Sequence, residues 1–350
     1  MPIVSIGTSI EQRLSATYSL HRLQVTAAEW DALLCPFPTA TVFHGSAWLA
    51  MLHETTGGET VLLEVREGTR AAGYFCGLVL RKGPFRLLGS PLPGWGTPAM
   101  GPVADPSSFD QRAFLQAVAA YCRRERMGLV EMSCPWLEGD ILHGYGYRAV
   151  EDVTFSMRLQ GAEDAWKNIQ KRTQTYIRQA QKFGVTVEAA ANETAVHEHY
   201  EQLLQVFAKY ASRPPYGVER PLAMWRHLHP PHLALLRAMH DDRCIASYLL
   251  AFDRETMWGL ASASRQDALH LRPNDLLHWK AIDLACQRGL RNYDFCGGGD
   301  YKQKYGARLV SRVRWIRAFN PAISLAYRVA EAAWQARREV VLKFAGWARK

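Results

Sequence analysis

Between His232 and Ser262 the chain enters three β-patterned, largely apolar segments in quick succession: His232 to Met239, Cys244 to Phe252 and Thr256 to Ser262. Only the turn residues Asp241-Asp242 and Asp253-Arg254 separate them, too short a connection for a crossover, so these strands must turn back on one another as antiparallel hairpins. Pro273 then opens a helical pattern that runs to Arg288. Proline suits a first helical turn, where a missing N–H costs nothing. A strand at Tyr293 to Phe295, a Gly297-Gly298-Gly299 loop and a final strand at Val313 to Phe319 complete the pattern.

The first part of the chain repeats that order. A strand pattern at Tyr18 to Val25 and helices from Ala27 and at Ser46 to Thr55 precede strands at Thr60 to Val65, Ala72 to Arg81 and Phe85 to Leu88. The Gly- and Pro-rich stretch Gly89 to Pro102 reads as a long loop, of the kind that tends to bind something. A helix at Asp110 to Arg124, a strand at Gly128 to Ser133, a small helix near Leu137 and a strand at Val153 to Leu159 follow. The second half opens with helical patterns at Glu163 to Gln170 and Thr173 to Phe183, the latter stopped by Gly184. Strand Val185 to Glu188 and helices at Glu193 to Ala211 and Arg220 to Leu228 then lead into the three hairpin strands. No residue-level repeat accompanies this symmetry, so any duplication is structural.

The length of 350 residues with 48% apolar content predicts two domains with a core that needs no disulfides. The seven cysteines show no C-x-x-C spacing, which argues against zinc and redox roles. Phe85 to Val103 holds too many prolines and glycines to span a membrane, and the N-terminus lacks a signal-peptide pattern, so the chain is expected in the cytoplasm. A formal charge of +9 favours an anionic partner, whether a phosphorylated cofactor, RNA or an anionic membrane surface, and equally fits a solvated basic surface with no partner.

Three places hold candidate chemistry. The Pro273-Asn274-Asp275 helix start points its N–H groups out of the sheet, with Arg265 and Arg272 nearby, an arrangement that suits phosphate or carboxylate as well as ordinary helix packing. Lys167, Lys171, Arg172, Arg178 and Lys182 give the following helices a basic face, either solvated or set against an anion. In Tyr293 to Gly306, Asp294 ends a strand, Lys302 and Lys304 can reach an anion, and Tyr301 and Tyr305 can frame a pocket. His227, His229 and His232, and likewise His197 and His199, lack metal-ligand spacing. No G-x-S-x-G or H-E-x-x-H motif occurs.

The order of these motifs resembles the FemAB/FemX-like branch of the GNAT acyltransferase superfamily, which includes acetyltransferase-like proteins of polysaccharide loci. The resemblance rests on Ile177 to Val185, on Pro273-Asn274-Asp275-Leu276-Leu277, on Tyr293-Asp294-Phe295 with Lys302-Gln303-Lys304-Tyr305-Gly306, on Phe43-His44 through Trp48, and on Pro93-Gly94-Trp95-Gly96. It implies an α/β (α+β) fold of two tandem GNAT-like domains, each a mixed, largely antiparallel sheet flanked by helices. These are expected at residues 1–155 and 156–320, with a C-terminal amphipathic helix at 321–350.

It also implies acyl transfer to an amine within a ternary complex. Asp294 is expected as base or amine-orienting carboxylate, or as a cap for the glycine loop. Arg178, Arg272, Asn274, Lys302 and Lys304 are expected to bind the anionic donor, and Trp95, Tyr216, Tyr301 and Tyr305 to line the substrate cleft, all converging on one groove. No metal is called for. The Ser264 to Asn274 turn holds no glycine, so the R-x-x-G-x-G/A loop of acyl-CoA enzymes is missing. The donor therefore stays open between a thioester, as acyl-CoA or acyl carrier protein, and aminoacyl-tRNA. The acceptor is expected to be an amine, such as an amino sugar of a cell-surface polysaccharide. A non-catalytic binding protein on the same fold is a third reading. In the tail, Leu325, Val329, Ala332, Ala336, Val340, Phe344 and Trp347 form an apolar stripe among basic residues, expected to pack on its own domain or on a membrane surface.

Overall fold

The computed structural model describes residues 17–209, 211–329 and 332. The first half supplies β1 (Tyr18–Arg22), α1 (Ala27–Leu34), α2 (Ser46–Thr56), β2 (Glu59–Glu67), β3 (Arg70–Lys82), β4 (Phe85–Ser90), β5 (Pro102–Ala104), α3 (Gln111–Arg124), β6 (Met127–Met132), α4 (Gly139–Gly144) and β7 (Arg148–Arg158). The second half supplies α5 (Ala162–Asn168), α6 (Lys171–Lys182), β8 (Thr186–Ala189), α7 (Thr194–Ala208), α8 (Glu219–Leu228), β9 (Leu233–His240), β10 (Arg243–Phe252), β11 (Thr256–Ser264), α9 (Pro273–Gln287), β12 (Asn292–Asp294) and β13 (Arg308–Ala318).

Twelve of these strands form one path in the order β1-β2-β3-β4-β6-β13-β7-β12-β11-β10-β9-β8, and β5 pairs with β3 off it. The duplication is visible in the pairing. Each half builds four antiparallel strands, β1 to β4 and β8 to β11, and then adds a parallel neighbour, β6 or β12. The last strand of each half crosses over: β13 lies against β6, β7 lies against β12, and the two pair with each other at the centre.

The halves differ at the parallel pair. β4 and β6 stay paired from Arg86↔Met127 to Ser90↔Met132. β11 and β12 pair only from Thr256↔Asn292 to Trp258↔Asp294, after which β11 continues to Ser264 without β12. From Gly259 onward the β12-side edge of β11 has no strand partner among the described residues, and the sheet opens there.

The local reasons are those the sequence suggests. Asp241 and Asp242 turn the β9–β10 hairpin in the left-handed region, φ 48° and 58°, which a short polar side chain tolerates. Gly184, φ 81°, ends the α6 segment. β7 and β13 both start five residues before the strands expected at Val153 and Val313. Their added residues, among them Glu151, Asp152, Arg308 and Arg312, place only Val150 in the core, so apolar patterning gives little sign of them.

One face of the sheet carries a cluster shared by both halves, with Trp48, Trp95, Trp258 and Ile316, where α2 packs on α8. The opposite face carries one cluster per half, around Phe114 and around Ile177 and Ile282. Residues 321–329 are helical. Ile323 is buried, and its Cδ1 leaves no room for a Cβ at Gly128. Of the tail stripe, Ala336, Val340, Phe344 and Trp347 lie outside the described residues. Among the described residues no helix is long and apolar enough to cross a membrane.

Candidate active site

On the shared face, beside the point where β11 leaves β12, lies a cavity of about 610 Å³. The first half contributes the loop from Pro91 to Pro98, with Trp95 in its wall; the second contributes Tyr216, Leu260 of β11 and Cys296. Gly94 and Gly96 take φ of 80° and 65°, which lets the loop fold tightly under its prolines. Three contacts fix these walls. Arg220 donates to the Gly94 carbonyl while its guanidinium sits 5.2 Å over the Tyr216 ring, so one cation ties the two halves together. Trp48 Nε1 donates to Thr97 Oγ1 at 3.0 Å, and the Tyr200 hydroxyl donates to the Tyr216 carbonyl at 2.8 Å. Burial holds the Tyr216 phenol above its ordinary range, which keeps it a neutral hydroxyl.

The floor is the central strand pair. Arg312 and Arg314, two apart on β13 and hence on one face, both line the cavity. Arg312 is ion-paired with Asp294 and lies 5.6 Å over the Trp258 ring. Arg314 is ion-paired with Glu131 of β6, which is fully buried, and Tyr327 from the 321–329 helix donates to the same carboxylate. Burial works against the Arg314 charge, but Glu131 and Tyr327 together offset it and its proton affinity is raised. Two guanidiniums, each held by a carboxylate, thus present fixed donors to whatever occupies the cavity.

Asp294 is only 6% exposed, and both its oxygens are engaged. Oδ1 accepts from the Thr154 hydroxyl and from the Cys296 N–H, each at 2.7 Å, and Oδ2 accepts from Arg312. Thr154 Oγ1 in turn accepts from Gly297 N–H at 3.2 Å. Of the roles expected for Asp294, the geometry shows the cap of the glycine loop, together with the orientation of Arg312.

The expected anion binders do not converge on one groove. Lys302 donates to the carbonyls of Phe295, Cys296 and Gly297 at 3.1, 3.1 and 2.8 Å, so all three of its protons hold the loop after β12, and burial lowers its proton affinity. Lys304 pairs with Asp275 at 2.6 Å. Asn274 donates to Ser264 Oγ at 3.1 Å and so ties the start of α9 to the end of β11. Arg272 and Arg178 are surface residues lying over the rings of Tyr176 (4.2 Å) and Trp166 (5.4 Å). None of these five lines the cavity.

Of the expected cleft aromatics, Trp95 and Tyr216 do line it. Tyr305 does not: it is fully buried in the second half's core, with its hydroxyl donating to Asp275 at 3.1 Å. Tyr301 is half-exposed and packs toward His278. Among the described residues no group of three His, Cys, Asp or Glu side chains could hold a metal.

Sequence reasoning missed Arg312, Arg314 and Glu131. A signal existed for each. Arg312-Val313-Arg314 alternates with period two, and Glu131 interrupts the apolar strand Leu129-Val130-Glu131-Met132.

Comparison with known proteins agrees with this geometry. Residues 167–305 match the acetyltransferase (GNAT) domain family. Among solved structures, FemX superposes with a TM-score of 0.71 at 13% identity, covering 87% of this chain and 99% of its own. A tandem GNAT protein from the clavulanic acid biosynthesis pathway gives 0.51 at 10%, covering 87% and 99%. L-PGS from Bacillus licheniformis gives 0.51 at 12%, covering 87% and 96%. At such identities the likeness is one of fold. No curated protein matches the chain in sequence. Residues 167–305 thus match the acetyltransferase (GNAT) domain family, and the two halves together share the fold of FemX and of the tandem GNAT protein.

Proposed function

We propose that the enzyme transfers an acyl group from a thioester-type donor, an acyl-CoA or acyl carrier protein, to the amine of an acceptor seated in the cavity between the halves, such as an amino sugar of a cell-surface polysaccharide. The observation that carries this is the meeting of Trp95, Tyr216, Arg312 and Leu260 in one cavity where β11 parts from β12. Aromatic faces suit a sugar ring, and Arg312 and Arg314 suit a phosphate or carboxylate on the same molecule.

In the transfer, the acyl carbon gains a bond to the amine nitrogen and loses its bond to sulfur, and the proton shed by the nitrogen leaves with the thiolate. The protein's share is alignment and a place for the carbonyl oxygen. The unpaired edge of β11 beyond Trp258 offers backbone N–H groups for that oxygen. Asp294 acts as a positioning residue, through Arg312. The working units proposed are residues 1–155 and 156–320, interlocked through β7 and β13, in a cytoplasmic protein.

A second reading, transfer from aminoacyl-tRNA, is favoured by the exposed basic side chains Lys171, Arg172, Arg178 and Lys182 along α6. Purified enzyme is to be incubated with amino sugars and, separately, acetyl-CoA, longer acyl-CoAs and charged tRNA, with product mass as readout. A thioester-dependent acyl product on the amine supports the first reading. Turnover with charged tRNA alone replaces it with the second. No product from any donor overturns both.

A further inference from the structure

The cavity of about 610 Å³ has a neighbour. A second cavity, of about 640 Å³, lies further along the central strands, with Arg158, Trp258, Asn292, Asp294 and Arg308 in its lining. β7 and β13 keep an unbroken register from Arg308↔Ser156 to Ile316↔Arg148, so Arg308 falls on the face that carries Arg312 and Arg314. Arg158, two residues beyond Ser156 and opposite Asn292, falls there too. Between the cavities stands a wall of three side chains. Arg312 lines the first cavity, Asp294 and Trp258 line the second, and Arg312 is paired with Asp294 and lies over the Trp258 ring.

The two cavities differ in charge. Arg312 and Arg314 are each met by a carboxylate. Arg158 and Arg308 have no ion-pair partner among the described residues, although they are diagonal neighbours on adjacent strands, about 7–8 Å apart. Both carboxylates of the second lining are engaged elsewhere: Asp164 accepts from Asn168 at 3.0 Å, and Asp294 holds Arg312. Two like charges on one face repel, and an anion set between them is attracted by both.

We infer that the second cavity holds an anionic group of the acceptor, a phosphate or a carboxylate, gripped by Arg158 and Arg308 while the amine lies beyond Arg312 in the first cavity. This rests on the reading that seats the acceptor in the first cavity, and it narrows the class of acceptor. Arg308 and Arg312 are four residues apart on an extended strand, about 13 Å. A single sugar ring does not span both cavities, so the acceptor is a longer molecule whose charge is well separated from its amine. The size of the second cavity suits an anion borne on a larger group rather than a lone ion.

The test measures binding without turnover, so its outcome is separate from whether any donor is consumed. Calorimetric titration of the full-length protein with inorganic pyrophosphate and, separately, with glutarate probes the phosphate and the carboxylate. The expected result is saturable binding of at least one of them, weakened at least tenfold in R158Q/R308Q and less than twofold in K171Q/R172Q, whose exposed cations lie on α6 outside the cavity. The anion that binds more tightly identifies the group. Circular dichroism verifies that the variants remain folded, and R158Q and R308Q singly should each give an intermediate loss. Absence of binding by both anions overturns the inference, as does binding that survives in R158Q/R308Q. In turnover assays the bound anion should raise the acceptor KM; a rise in the donor KM alone would assign the cavity to the donor and overturn the inference as well.

Discussion

Arg312 and Asp294 meet across an intervening strand: the guanidinium on β13 reaches over β7 to the carboxylate on β12, and Thr154 of β7 donates to that same carboxylate from between them. The pair links the strand that each half lends to the other with the loop that borders the cavity. Removing its charge leaves Arg312 poorly compensated in a nearly dry site. Asp294→Asn is expected to lower stability by about 2–4 kcal/mol in urea unfolding, within the range for breaking a buried pair. It should also reduce kcat more than it raises the donor KM. The conservative Asp294→Glu should restore part of both, and a double cycle with Arg312→Lys should show coupling. Unchanged kcat in a folded Asp294→Asn protein would remove Asp294 from any positioning role.

Tyr216 offers its ring to the cavity on one side and to Arg220 on the other. Tyr216→Ala is expected to raise the acceptor KM about 3- to 10-fold, in line with about 0.5–1.5 kcal/mol for an aromatic contact. Tyr216→Phe should behave nearly as wild type, since the hydroxyl is not needed for stacking. Steady-state kinetics at fixed donor distinguish these outcomes; an effect confined to the donor KM would place Tyr216 on the wrong substrate.

Three buried histidines should make the protein acid-sensitive well above the carboxylate range. Burial lowers His44 and His199 to about 4, and burial with Lys304 and Lys302 nearby lowers His278 to about 3. In the unfolded chain each titrates near 6.5. Between these values the unfolded state binds more protons, so stability is complete above about pH 6.5 and falls as pH drops toward 4. Each histidine contributes up to about 1.4 kcal/mol per pH unit. Urea unfolding at pH 7.5, 6 and 5 measures the slope, and His199→Gln should flatten it. A flat profile from pH 7.5 to 5 would contradict the buried neutral state.

Tyr327 and Arg314 share the Glu131 carboxylate, which has no access to solvent. Tyr327→Phe removes one donor to that buried carboxylate, an expected loss of about 1–3 kcal/mol. Because this bond docks the 321–329 helix, limited proteolysis should cut within 321–329 faster in the variant than in wild type. Equal cleavage would mean that Ile323 alone holds the helix.

Much of the architecture was written locally. The Asp241-Asp242 turn, Gly184 behind α6 and Pro273 at the head of α9 each favour the local backbone geometry found there, so the hairpins, the helices and the doubled order of elements follow from neighbours in sequence. Trp95 and Tyr216 were legible for a related reason, since each sits in a proline-marked loop. The roles of Lys302, Lys304 and Tyr305 were not. A lysine after a glycine triplet is equally suited to an external phosphate or to its own backbone carbonyls, and only the path of the loop after β12 turned Lys302 inward.

The amino-acid order by itself determined which segments are strands and helices, and that the two halves match, because turn geometry and apolar period act over a few residues. Only the tertiary structure decided that β7 and β13 change places, bringing Arg312 to Asp294 and Arg314 to Glu131, and that β11 parts from β12 to open the cavity. Those partners lie far apart along the chain, and a charged side chain declares its partner only when folding removes the water that would otherwise have solvated it.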